Sequence, residues 1–189
     1  MKLNSKRTIL VGLAFLSICA FWQMYDSIVP LILTKTFHMN ETFSGAIMAA
    51  DNILALFLLP FFGSVSDKSH TKIGKRMPFI LFGTGCAIIL MNILPLLDNS
   101  YAAQPSGFKT ASFVIVLGLL LVAMGTYRAP AVALMPDVTP KPLRSRANAI
   151  INLMGAVGGI LYLGLAAVLY PASKTHGLAH VSYRPLFLI

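Results

Sequence analysis

Charge is scarce in this sequence, and negative charge scarcer still. Only 11% of the residues are charged, whereas soluble domains carry about 25%. Six side chains are acidic against fifteen basic, a formal net charge of +9. So few charges cannot cover a water-facing surface, which excludes a soluble globular domain. Cysteine is nearly absent: Cys19 and Cys86 both lie inside apolar stretches and read as small buried hydrophobes. That excludes a disulfide framework or a thiolate metal centre. No Cys/His cluster has metal-ligand spacing, no glycine-rich loop is of the phosphate-cradling kind, and no Ser/His/Asp set offers a nucleophile. The expectation is therefore no enzyme, no cofactor and no metal.

What the chain has is apolar length. Hydrophobic residues make up 57% of it, with a mean hydropathy of +0.77. A membrane helix needs about 20 such residues, and a secretory signal core only about 7–15. The first apolar run is too long for a signal core and reads as a span. Five spans are expected, at about 9–33, 43–65, 78–97, 111–135 and 147–170, with 185–189 as the start of a sixth. The fold class is all-α integral membrane. The link from Asp98 to Thr110 is rich in Gly, Pro, Ser and Asn and reads as a loop.

The positive charges are not spread evenly. Lys2, Lys6 and Arg7 precede the first span, Lys68, Lys72, Lys75 and Arg76 follow the second, and Lys141, Arg144 and Arg146 follow the fourth. The opposite connections hold only Lys35, Lys109, Lys174 and Arg184. This asymmetry places the amino terminus in the cytoplasm of a multi-pass cell-membrane protein. It also accounts for the net charge without nucleic acid.

The loop after the second span carries a pattern. Gly63 stands four residues before Asp67, and Ser66-Asp67, Gly74, Arg76, Pro78-Phe79-Ile80 and Gly83 follow the form S-D-x(6)-G-x-R-x-P-F-I-x-x-G. This resembles the loop between helices two and three of the major facilitator superfamily, in its sucrose and glycoside:cation symporter branch. The stretch Ala129 to Leu134 with Asp137 is similar to that branch's G-P-A-x-A-L-x-x-D. The resemblance implies the amino-terminal bundle of a six-plus-six helix transporter. It also implies a cytoplasmic gating loop of Gly63, Asp67, Gly74, Lys75, Arg76 and Asp137. In it Gly63 would let a neighbouring helix come close, and Lys75 or Arg76 would hold Asp67. A solvated surface pair is the alternative.

Three ionisable residues fall deep inside spans: Asp26, Asp51 and Arg128. Charges there are costly, so they face a cavity or a partner, functional or structural. At about 1.5 Å per residue, the two acids lie level and Arg128 lies lower. The acids would share a proton or cation, and Arg128 would face the cavity floor. Trp22, Asp26 and Pro30 recur at i, i+4, i+8. That face suits a pyranose stacked on the indole with hydroxyls on the acid, or an aromatic packed on the next helix. Arg128 departs from plant sucrose carriers, and its fork also suits an acidic sugar. Asn148 and Asn152 line a stripe with Gly155 and Gly159. The glycines read as a close helix contact, and the asparagines as interhelical bonds or substrate contacts. The span-two stretch Leu54 to Pro60 is wholly apolar, so a proton fits better than sodium.

Together these readings imply part of a secondary transporter, with proton-coupled symport of a sugar or glycoside by alternating access. Its expected partners are the lipid bilayer, the sugar, the proton and a missing carboxy-terminal bundle. The alternative is a non-transporting half-length membrane protein, a remnant or a regulatory subunit.

Overall fold

A computed structural model describes residues 5–171, 178 and 180–188. Among them every regular element is helical. The long helices are α1 (Ser5–Leu31), α2 (Glu41–Lys68), α3 (Met77–Ala103), α4 (Gly107–Val138) and α5 (Arg144–Leu169), and a single turn, α6, covers Arg184–Phe187. All five long helices have the length and composition to cross a membrane. This is a multi-pass membrane protein. Short connections make successive helices run in opposite directions, so the molecule has a basic end, with the 69–76 and 139–143 loops, and an opposite end.

The helices outrun the spans read from hydropathy, because caps and polar partners extend them past the apolar core. Asn40 caps α2, its Oδ1 accepting the Thr42 N–H at 3.1 Å. The largest correction concerns Asp98 to Thr110. Instead of a loop, α3 runs on to Ala103 and α4 starts at Gly107. Tyr101 helps explain why. Its ring packs against Phe37 at 4.3 Å between centroids, and Phe37 in turn lies 4.7 Å from Phe113. At the other extreme, the turn after Thr71 needs Gly74, whose φ of +106° strains any side-chain-bearing residue.

α4 is the central helix. It buries Phe113, Leu117, Leu120, Met124, Tyr127 and Met135 among others, with α3 along one side and α2 along another. At Gly83 of α3 an added Cβ would meet Tyr127 at 2.9 Å and the Ala123 carbonyl at 3.0 Å. α1 lies along α5. Here the close contacts are made at Gly155, against a side chain, and at Gly158, against backbone. A Cβ on Gly155 would sit 2.8 Å from Cys19 Sγ, and one on Gly158 would strike the Leu16 carbonyl. Gly159, expected at the contact, only nears the Gln23 amide, at 3.6 Å.

Pro30 has no N–H to give the Asp26 carbonyl, so α1 loses a bond at that level. Thr34 Oγ1 donates to the Pro30 carbonyl at 2.8 Å, and the helix widens into a π turn over Ile32–Thr36.

Candidate functional site

Two groups of charged side chains stand out, one midway along the helices and one at the basic end. The first is assembled from α1, α2 and α4. Arg128 of α4 lies over the Trp22 ring, its Cζ 4.5 Å from the centroid. Trp22 meets Tyr25 edge-on at 5.6 Å. Asp26 is exposed and Asp51 is buried, and Arg128 lies within electrostatic reach of both. The two acids also act on one another. Among the described residues no carboxylate stands within 4 Å of Arg128 to form an ion pair. Its near neighbour is Trp22, one turn from Asp26 towards the basic end.

This arrangement constrains what can bind. The indole face covered by the guanidinium is not open for stacking a sugar ring. Two donors, Trp22 Nε1 and Tyr25 Oη, are buried without a partner among the described residues. Tyr25 is fully buried and lies within reach of both acids. Sequence reasoning missed it, since a tyrosine beside an acid has no pattern of its own. The crevice between Trp22, Asp51, Leu58, Leu121, Gly125 and Arg128 measures only about 10 Å³, room for a single water. Anything larger must lie on the open side, where Asp26 is exposed.

Asn148 and Asn152 are not brought to this group. They line a separate open hollow of about 640 Å³ towards the basic end, with Phe15, Met135, Pro136 and Arg144. Arg144 is engaged there by backbone, its Nη2 donating to the Pro136 carbonyl at 2.9 Å.

At the basic end Arg76 is buried, only 7% exposed. Its Nη2 lies 2.9 Å from Asp67 at the end of α2, and its Nε donates to Asp137 at the end of α4. Lys75 adds weaker contacts to the same acids, at 3.8 and 3.7 Å. One residue preceding α3 thus ties the ends of three helices. Among the described residues nothing lies within 4 Å of a Cβ added at Gly63, one turn before Asp67, and no neighbouring helix uses it for close approach. Gly74 contributes the turn that delivers Lys75 and Arg76.

Five long apolar helices, with charges held at mid-depth and a cation bridging helix ends, define a membrane-transporter class of bundle. The chain belongs to the Major Facilitator Superfamily, whose family model matches residues 11–189. This is a transporter family, not an enzyme family, and the fold is that of its amino-terminal bundle. Among curated relatives, the chain is 35% identical over 152 residues to "Sucrose transport protein SUC3" of Arabidopsis thaliana, covering 74% of this chain and 25% of that one. It is 34% identical over 154 residues to "Sucrose transport protein SUT3" of Oryza sativa subsp. indica, 74% of this chain and 30% of that one. A third, "Sucrose transport protein SUT1" of Oryza sativa subsp. japonica, is 27% identical over 169 residues, 82% and 31%. The chain thus spans between a quarter and a third of these relatives' lengths. No solved structure matches it significantly.

Proposed function

We propose that this bundle serves a proton-coupled sugar symporter that works by alternating access, opposite a second bundle. The observation that carries the reading is the meeting of Trp22, Tyr25, Asp26, Asp51 and Arg128 from three helices at mid-depth. Two acids close enough to repel share one proton more readily than they hold two charges, which gives the coupling ion a place. The unpartnered indole N–H and tyrosine hydroxyl supply donors, and Asp26 supplies an acceptor, for sugar hydroxyls on the open side. Support for a sugar comes from the relatives named as sucrose transport proteins. In this reading Asn148 and Asn152 contribute from the hollow nearer the basic end, which is the cytoplasmic end. Gly63, Asp67, Gly74, Lys75, Arg76 and Asp137 form the cytoplasmic gate of a cell-membrane carrier with a cytoplasmic amino terminus.

The test is uptake of radiolabelled sucrose and other glycosides into proteoliposomes under an imposed inward proton gradient. It compares the 189-residue chain alone with the chain joined to the carboxy-terminal bundle of a sucrose transport relative. Gradient-driven uptake is expected only from the joined protein, and Asp26→Asn or Asp51→Asn should uncouple it from the gradient. Saturable uptake by the chain alone would remove the need for a second bundle. Uptake indifferent to the gradient, or to both substitutions, would remove the proton.

A further inference from the structure

The open hollow towards the basic end is built apart from the mid-depth group. Met135 of α4 and Ile151 of α5 line it, and with Val11 and Ala147 they form a small buried cluster distinct from the main core. Phe15 of α1 packs on that cluster and also lines the hollow. It precedes Trp22 by seven residues, so about 10 Å of helix separates the hollow from the guanidinium on the indole. At about 640 Å³ the hollow lies within the range of about 300–1,000 Å³ that small-molecule sites occupy.

Its lining divides by helix. α1 and α4 bring apolar groups, among them Phe15 and Val132, and α5 brings the amides of Asn148 and Asn152. Both asparagines are exposed, one turn apart, and neither has a hydrogen-bond partner among the described residues. Each amide offers two donors and an acceptor, which matches sugar hydroxyls that both donate and accept. A carboxylate or phosphate only accepts, and would leave the amide oxygens unmet. Arg144 is the one charged side chain that lines the hollow among the described residues. Its Nη2 and Nε donate to the Pro136 and Thr139 carbonyls, at 2.9 and 3.3 Å. There the guanidinium offsets the negative end of the α4 dipole, so its charge is already answered by the protein.

We propose that this hollow is a second carbohydrate site, which holds a ring of a neutral glycoside between Phe15 and the amides of Asn148 and Asn152. The proposal rests on the sugar-carrier reading above and adds a place where the sugar halts after leaving mid-depth. The two sites divide the chemistry. At mid-depth one indole face is taken by Arg128, and the acids serve the proton. In the hollow no acid is among the lining residues, and the aromatic ring is Phe15. The apolar face of a pyranose lies on that ring while its hydroxyls meet the two amides. Sugar held there is sensed by neither Asp26 nor Asp51, so the hollow binds sugar whether or not a proton is bound.

The experiment titrates sucrose onto the full 189-residue chain in phosphatidylcholine nanodiscs, with one reporter for each site. With Cys19→Ala and Cys86→Ala, Ser145→Cys carries a trifluoromethyl label on the lining of the hollow, read by fluorine NMR. Trp22 is the only tryptophan, and its emission reads the mid-depth group. Sucrose should shift the fluorine resonance saturably. Asn148→Ala with Asn152→Ala should weaken that titration by about tenfold or more, through loss of two hydrogen-bonding amides. Both positions are exposed, so the change leaves the packing alone. Phe15→Leu keeps an apolar side chain without the ring and should weaken it by about three- to tenfold. A silent Trp22 beside a shifting label counts against the mid-depth group and leaves the hollow standing. No shift with sucrose, or a titration that the paired asparagine change leaves intact, overturns the proposal. So does loss of the shift when phosphatidylglycerol is added, which would make the hollow a site for an anionic lipid headgroup.

Discussion

A guanidinium that is 7% exposed must be neutralised where it sits, because a buried unpaired charge is far costlier than an exposed one. Arg76 has two acids for this purpose, and they are not equivalent. Asp67 is 55% exposed and Asp137 is 34% exposed. An exposed pair contributes about 0–1 kcal/mol, and a charged hydrogen bond that is better shielded about 1.5–3 kcal/mol. Asp67→Asn should therefore lower stability by less than about 1 kcal/mol, and Asp137→Asn by about 1–3 kcal/mol. The double substitution strands Arg76 and should cost more than the two singles together, since they share one partner. Thermal unfolding of the four proteins in one detergent measures this. Simple additivity would show that neither acid is needed to neutralise Arg76. The pattern Ser66-Asp67 to Gly83 was legible in the sequence because its residues are close along the chain. Asp137, 61 residues on from Arg76, was expected as a second acid for the same cations, and only the fold shows that Arg76 rather than Lys75 makes its close contact.

Between α1 and α5 the contact keeps one register. Val11 and Phe15 pack with Ala147 and Ile151, Cys19 abuts Gly155, and Gln23 nears Gly159. Both helices advance four residues per step, as parallel neighbours do when each presents one face. Glycine matters only where backbone meets backbone, and that is Gly158 against Leu16. Gly158→Ala should destabilise by about 1–3 kcal/mol, since a carbonyl cannot rotate away as a side chain can. Gly159→Ala should be neutral or stabilising by up to about 1 kcal/mol, because it gains helix propensity in ordinary contact distance. Melting temperatures that shift the same way for both would contradict the assigned contact. A small-residue stripe was visible in the sequence. Which glycine takes the approach depends on helix rotation, which one residue's offset changes by about 100°.

At the scale of the molecule, large side chains on α2 remain uncovered, including Phe43, Ile53, Leu56, Phe57 and Phe61. Water would not tolerate such a surface, whereas lipid or another apolar bundle would. The basic connections all fall at one end, and this sets the expected orientation. With Cys19 and Cys86 replaced by alanine, single cysteines at Ser69 and Ser106 should label from opposite sides of intact cells. Ser69→Cys should react with an impermeant maleimide only after permeabilisation, and Ser106→Cys without it. Labelling of Ser69→Cys from outside would invert the topology.

Hydropathy and charge order determined the all-helical class, the five crossings and the basic end, because each is a local property summed over about 20 residues. Family membership was likewise legible in a run of fixed positions from Ser66 to Gly83. Only the tertiary structure decided which polar residues meet. Arg128 settles on Trp22 rather than on an acid, because helix crossing, not depth alone, fixes who is adjacent. Asp98 looked like the first residue of a loop, and packing carried it inside to His180, 82 residues later. Pairings at that separation leave no periodic trace in a single sequence, since each partner is placed by the rotation and register of its own helix.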